Sequence, residues 1–212
     1  MGSKQETLLR LLSSFGKVAS QRVLPYPRPS DLVNSPLHNE IVRVYRQLGG
    51  IGLEVPCNLR AWDLEVDEVA VELDEQLHFN RYRMMTLKSP VYRELEHFPH
   101  SEYVAHCESY EVACWRAGKY GGKWTNSSCE SQFGAGNSPG VLEGNGAPRW
   151  KQRAFYDFIK DLSPILIGQP VVRLSIWDRL HVNGCEMTMD GALQRGNSSA
   201  AAEIMALLKS RI

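Results

Sequence analysis

The stretch RAWDLEVDEVAVELDE, residues 60–75, decides the fold. Trp62, Leu64 and Val66 alternate with Ala61, Asp63 and Glu65. After Asp67-Glu68, Val69, Val71 and Leu73 alternate with Ala70, Glu72 and Asp74. A period of two belongs to strands with one buried face, so the stretch predicts an antiparallel hairpin of half-buried strands. With Asp67-Glu68 as the turn, Asp63 faces Glu72 on one side of the sheet, their Cβ atoms roughly 5 Å apart. Asp74 follows on the same side. Facing like charges destabilise a sheet, and a divalent cation held by carboxylates, water and substrate phosphate relieves the repulsion. The plain alternative is the solvated face of an ordinary hairpin, and composition alone does not separate the two.

Outward from the hairpin, residues 51–75 as a whole read as strands. Upstream, residues 5–15 form an amphipathic helix with Leu8, Leu9, Leu11, Leu12 and Phe15 on its stripe. LPYPRPSD (24–31) is an extended connector, because its prolines exclude helix. A second helix is capped by Asn34 or Ser35, holds Pro36 in its first turn, carries Ile41, Val44, Tyr45 and Leu48 inward, and stops at Gly49-Gly50. Downstream, a helix follows His78 and ends near Pro90. Residues 96–148 are glycine-rich and weakly periodic, which predicts an insertion with little regular structure, mobile in its second half. RWKQRAFYDFIKDL (149–162) is helical, with Trp150, Ala154, Phe155, Phe158 and Leu162 apolar; VVRLSIWD (171–178) is a strand. The tail SSAAAEIMALLKSRI ends the chain as a helix capped by Ser198 or Ser199. The expected organisation is therefore an N-terminal helix and connector (1–33), a core (34–178) interrupted at about 96–148, and a C-terminal loop and helix (179–212), all in one compact domain.

The 24 bases and 24 acids of the 212 residues cancel, which excludes a uniformly basic coat for nucleic acid. They are segregated, however. Seven acids and no base lie between Trp62 and Glu75, leaving the other 17 acids to face all 24 bases. Such a segregated balance suits an acidic metal site that must hold a polyanion. No apolar run reaches the roughly 18 residues of a membrane span, and no signal-peptide pattern opens the chain, so a cytoplasmic protein is expected. Five cysteines point to a reducing compartment rather than a disulfide framework. His106, Cys107, Cys114 and Cys129 raise a zinc-stabilised interaction domain over residues 100–130. There is no CxxC pair among them, and zinc is not expected.

Asp63, eight residues, then Glu72-Leu73-Asp74 resembles the core of PD-(D/E)XK nucleases. VAVELDEQLHF (69–79) is most similar to the branch of very-short-patch-repair endonucleases and RAP-type domains. The likeness covers about residues 36–95 and 149–178. It implies an α/β, restriction endonuclease-like mixed β-sheet of about four strands flanked by helices, with the long glycine-rich insertion between. Two departures stand out: Asp74 occupies the place of the motif lysine, and Glu75 that of the following glycine.

The resemblance implies metal-dependent hydrolysis of nucleic-acid phosphodiesters, DNA ahead of RNA. Mg²⁺ (or Mn²⁺) would be held by Asp63, Glu72 and Asp74, with Glu40 contributed by the preceding helix. His78 would act as general acid or base, or position the metal-bound water. Lys88 and Arg81, two helical turns apart, would stabilise charge or replace the missing lysine, and Arg81, Arg83 and Arg173 would bind substrate. The alternative is a catalytically inactive nuclease fold that binds nucleic acid or a protein partner. A homodimer is compatible with either.

Overall fold

The computed structural model describes residues 2–15, 18–19 and 24–212. Four strands lie side by side in the order β1 (Val18–Ala19), β2 (Leu64–Val66), β3 (Val69–Asp74) and β4 (Val171–Ser175). β2 runs antiparallel to β1 and β3, whereas β4 runs parallel to β3. A parallel neighbour needs a crossover, and the helices between residues 75 and 170 provide it. The hairpin pairs Val66 with Val69, Glu65 with Ala70 and Leu64 with Val71, the register set by a two-residue Asp67-Glu68 turn. Both turn residues have positive φ, 48° and 69°. That is the signature of a type I′ turn, whose twist matches the strands it joins.

The expectation of half-buried strands is corrected: β2 and β3 are buried on both faces. One face is apolar. Leu64, Val66, Val71, Leu73, Val172 and Leu174 pack against α1 (Ser3–Leu12), α9 (Met189–Arg195) and α10 (Ser198–Lys209). The other face carries Glu72, Asp74 and Arg173, all nearly inaccessible. It is covered by α7 (Pro148–Asp161), whose Asp157, Lys160 and Asp161 are buried too. Polar alternation therefore marks a charged interlayer here, not a wet surface. A second apolar core joins the far side of α7 to α3 (His38–Gln47), α4 (Arg81–Leu87) and α5 (His100–Gly118). Mixed α/β architecture is thus established.

Several boundaries differ from expectation. Residues 51–63 contain no strand. Pro29 opens a short helix, α2 (Pro29–Val33), because proline at a first helical position has no N–H to lose. Pro36 lies in the turn before α3, not inside it. Residues 96–148 do not lack regular structure: α5 is the longest described helix, and α6 (Ser127–Phe133) follows a 3₁₀ turn at Gly121–Lys123. Tyr103, Cys107, Cys114, Trp124 and Phe133 from this region are core residues. Even its glycine-rich end is tied down. Asn145 donates to the carbonyls of Phe133 and Ala135, and Asn137 exchanges hydrogen bonds with Gly146. After α8 (Ser163–Ile167) and β4, the expected C-terminal loop is instead a second hairpin, β5 (Arg179–Val182) with β6 (Cys185–Thr188). The cap of α10 is Asn197, which accepts from the N–H of Ala200. Among the described residues no helix is long and apolar enough to cross a membrane.

Candidate functional site

A polar cavity of about 570 Å³ opens between the hairpin and α7. Asp63 and Glu72 both line it. Asp63 sits just ahead of β2, anchored where its Oδ2 accepts the N–H of Leu73 at 3.0 Å. Glu72 projects from β3 and is 6% exposed. Lys160 reaches it from the last turn of α7, Nζ to Oε1 at 2.6 Å, while lying 4.9 Å from the Trp62 ring centre. Burial pushes the Glu72 carboxyl up to about 7; Lys160 opposes the rise and neighbouring Asp63 adds to it. The cavity is also bordered by His78, Asp157 and the basic side chains Arg60, Lys123, Arg149 and Arg153.

Beneath the cavity lies a closed charge network centred on Arg173. Its Nη1 is 2.9 Å from Asp74 and 3.4 Å from Asp157, and its Nε is 2.8 Å from Asp161. Tyr103 donates to Asp74 and Tyr92 to Asp161. His78 Nδ1 lies 2.8 Å from Asp157 and 3.2 Å from Asp74. Burial opposes charge on that imidazole, but Asp157 and Asp74 outweigh it and raise the His78 pKa. Asp157 is desolvated by burial, yet His78 and Arg173 hold it well below the usual carboxylate range.

Two places present ligands for a cation. Asp74, His78 and Asp157 offer atoms within 4.8 Å of one another, but Arg173 already neutralises both carboxylates there. Asp63 and Glu72 offer two more carboxylates at the cavity, the number a hard divalent ion takes when water and phosphate fill its other positions. Burial is the main cause of the raised Glu72 and Asp63 a lesser one; a cation bound there would lower it.

The other expected site residues are dispersed. Glu40 is held by Arg43 and by Ser89, and does not border the cavity. Arg81 forks onto Glu111 through Nε and Nη2. Lys88 caps the end of α4 in solvent, away from the cavity lining. Arg83, expected to touch substrate, is 1% exposed and committed to Asp161 at 2.7 Å. Arg173 is as deeply buried; both arginines balance interior carboxylates, so substrate does not reach them. Cys107 and Cys114 are packed in the second core, and burial pushes both thiols up to about 12.

Sequence reading misses the contribution of α7. Arg149, Arg153, Tyr156 and Lys160 recur at spacings of three and four, with Asp157 beside them, opposite the apolar stripe of the same helix. That polar stripe is the signal by which they can be found. Residues 43–195 match the sequence profile of DUF7255, a family of unknown function. The chain belongs to that family. The match includes the hairpin, α7 and β4, so every residue of the DUF7255 cavity named above lies inside it. No curated protein and no solved structure matches the chain.

Proposed function

We propose that this DUF7255 protein is a metal-dependent hydrolase of nucleic-acid phosphodiesters built on a restriction endonuclease-like core. One observation carries the reading: Asp63 and Glu72 share the floor of a polar cavity with Lys160, under a basic rim. The four-stranded mixed sheet between helical layers is consistent with the core that the resemblance implies. Mg²⁺ or Mn²⁺ bound by Asp63 and Glu72 would supply an acidified water and screen the phosphate. Lys160, in the absence of the motif lysine, holds Glu72 in place and brings a cation to the reacting end of the cavity. His78, gripped at Nδ1 by Asp157 and Asp74, has Nε2 left for proton transfer at the cavity wall.

The test is cleavage of single- and double-stranded DNA and RNA with Mg²⁺ and with Mn²⁺. Asp63→Asn, Glu72→Gln and Lys160→Met are each expected to lower the rate by about 100-fold or more, the usual effect of removing one electrostatic group from such a site. Rates unchanged in Asp63→Asn and Glu72→Gln would remove the site. A second reading, an inactive fold that only binds, is favoured by the Lys160–Glu72 pair, which already satisfies one carboxylate oxygen. Binding without cleavage under every metal condition selects that reading.

A further inference from the structure

The cationic end of the cavity is chemically unfinished. Buried arginines elsewhere in this molecule have carboxylate partners at short range: Arg83 with Asp161 at 2.7 Å, Arg173 with Asp161 at 2.8 Å, Arg211 with Asp178 at 2.7 Å. Arg149 and Arg153 are partly buried and line the cavity, yet neither forms an ion pair among the described residues. Among the described residues Arg153 makes one side-chain hydrogen bond, at 3.4 Å to the carbonyl of Leu77. Arg149 donates to Gln152, which is neutral. Lys123, across the cavity, has the carbonyl of Ala117 as its partner. Burial lowers the pKa of Arg153; the nearby charge of Asp157, with which it forms no ion pair, opposes that fall, and the charge of Arg149 adds to it.

Position on α7 deepens the imbalance. Arg149 stands in the first turn of that helix, where the backbone dipole disfavours a cation, and no acid accompanies it there. The N–H of Arg149 is already given to the carbonyl of Trp124, so an anion at this end is bound by side chains. From Arg153 to Lys160 is about 10 Å along the helix, which separates the basic end from the carboxylate floor within one cavity.

We propose that Arg149, Arg153 and Lys123 form a phosphate-binding subsite for a second phosphate of the strand whose neighbouring phosphodiester lies at Asp63 and Glu72, and that this strand is unpaired. The choice of nucleic acid as phosphate source rests on the function proposed above. The preference for an unpaired strand rests on shape. A cavity of about 570 Å³ is in the range of sites for small ligands, and Glu72 at its floor is 6% exposed. A flexible single strand can thread phosphates to that depth, whereas a base-paired duplex is too thick to enter.

The experiment is fluorescence anisotropy of the full chain with a short labelled single strand, and with the duplex of the same sequence, in metal-chelated buffer over a range of salt. The single strand is expected to bind more tightly. Arg149→Gln with Arg153→Gln is expected to weaken it about tenfold or more, and to reduce the slope of log K against log salt by about 0.7 for each phosphate that is no longer neutralised. Lys123→Gln is expected to act in the same direction, and Arg81→Gln, outside the cavity, to leave affinity unchanged. Equal or tighter duplex binding, undiminished affinity in the double variant, or equal loss in Arg81→Gln overturns the subsite. The two readings fail separately. Tight single-strand binding through Arg149 and Arg153 without cleavage keeps the subsite and removes the nuclease. Cleavage by the double variant with an unchanged KM keeps the nuclease and removes the subsite.

Discussion

Three carboxylates, Asp74, Asp157 and Asp161, converge on the guanidinium of Arg173, which is 1% exposed. Removing one member of a buried ionic group leaves the others uncompensated in a low dielectric. Arg173→Met is therefore expected to cost about 3–5 kcal/mol, read as a lower urea midpoint with an unchanged slope. Arg173→Lys should recover part of the loss, since it restores charge but not the fork geometry. Lys160 is likewise buried and paired, but it lines the cavity, and its partner, Glu72, lies 88 positions away in sequence. Asp63 and Glu72 can be paired from sequence because a local turn relates them. No local rule relates Lys160 to Glu72, and that is why Lys88 and Arg81, nearer in sequence, are the substitutes a sequence reading expects.

At the level of elements, the Asp67-Glu68 turn holds two side-chain-bearing residues at positive φ, a conformation natural to Asn-Gly. Asp67→Asn combined with Glu68→Gly is expected to stabilise the protein by about 1 kcal/mol, measured as a raised midpoint in chemical unfolding. Asn183-Gly184 already has that chemistry and joins β5 to β6; the expectation of a loop there overlooks an Asn-Gly pair set between alternating residues. α5 is harder to see. Its buried positions, Tyr103, Cys107, Cys114 and Gly118, keep helical spacing but include little strongly apolar surface. Only contact with Phe79, Trp150 and their neighbours makes them core.

For the molecule as a whole, the charged interlayer sets the response to pH. Glu72 is raised from 4.5 to about 7 in the folded state, so folding favours its protonated form and stability falls as pH rises between those values. His78 is raised as well; its contribution is complete below its unfolded value of 6.5 and is lost as pH rises through the folded one. Asp157 is depressed, so its contribution is present above 3.8 and disappears on acidification. Unfolding free energy in metal-chelated buffer is thus expected to peak near pH 5 and decline by about 1–3 kcal/mol toward pH 8. Glu72→Gln should flatten that decline between pH 5 and 7, and a decline undiminished in this variant would assign it to other groups. The amino-acid order by itself determined the hairpin, its register and the apolar stripe of α7, because each follows from periodicity within a short segment. Only the tertiary structure decided that the polar face of the sheet is buried, that Arg83 and Arg173 are internal counter-charges, and that Lys160, Arg149 and Arg153 border the site. Those outcomes depend on which charged face of one helix meets which charged face of a distant strand, and desolvation makes that match decisive.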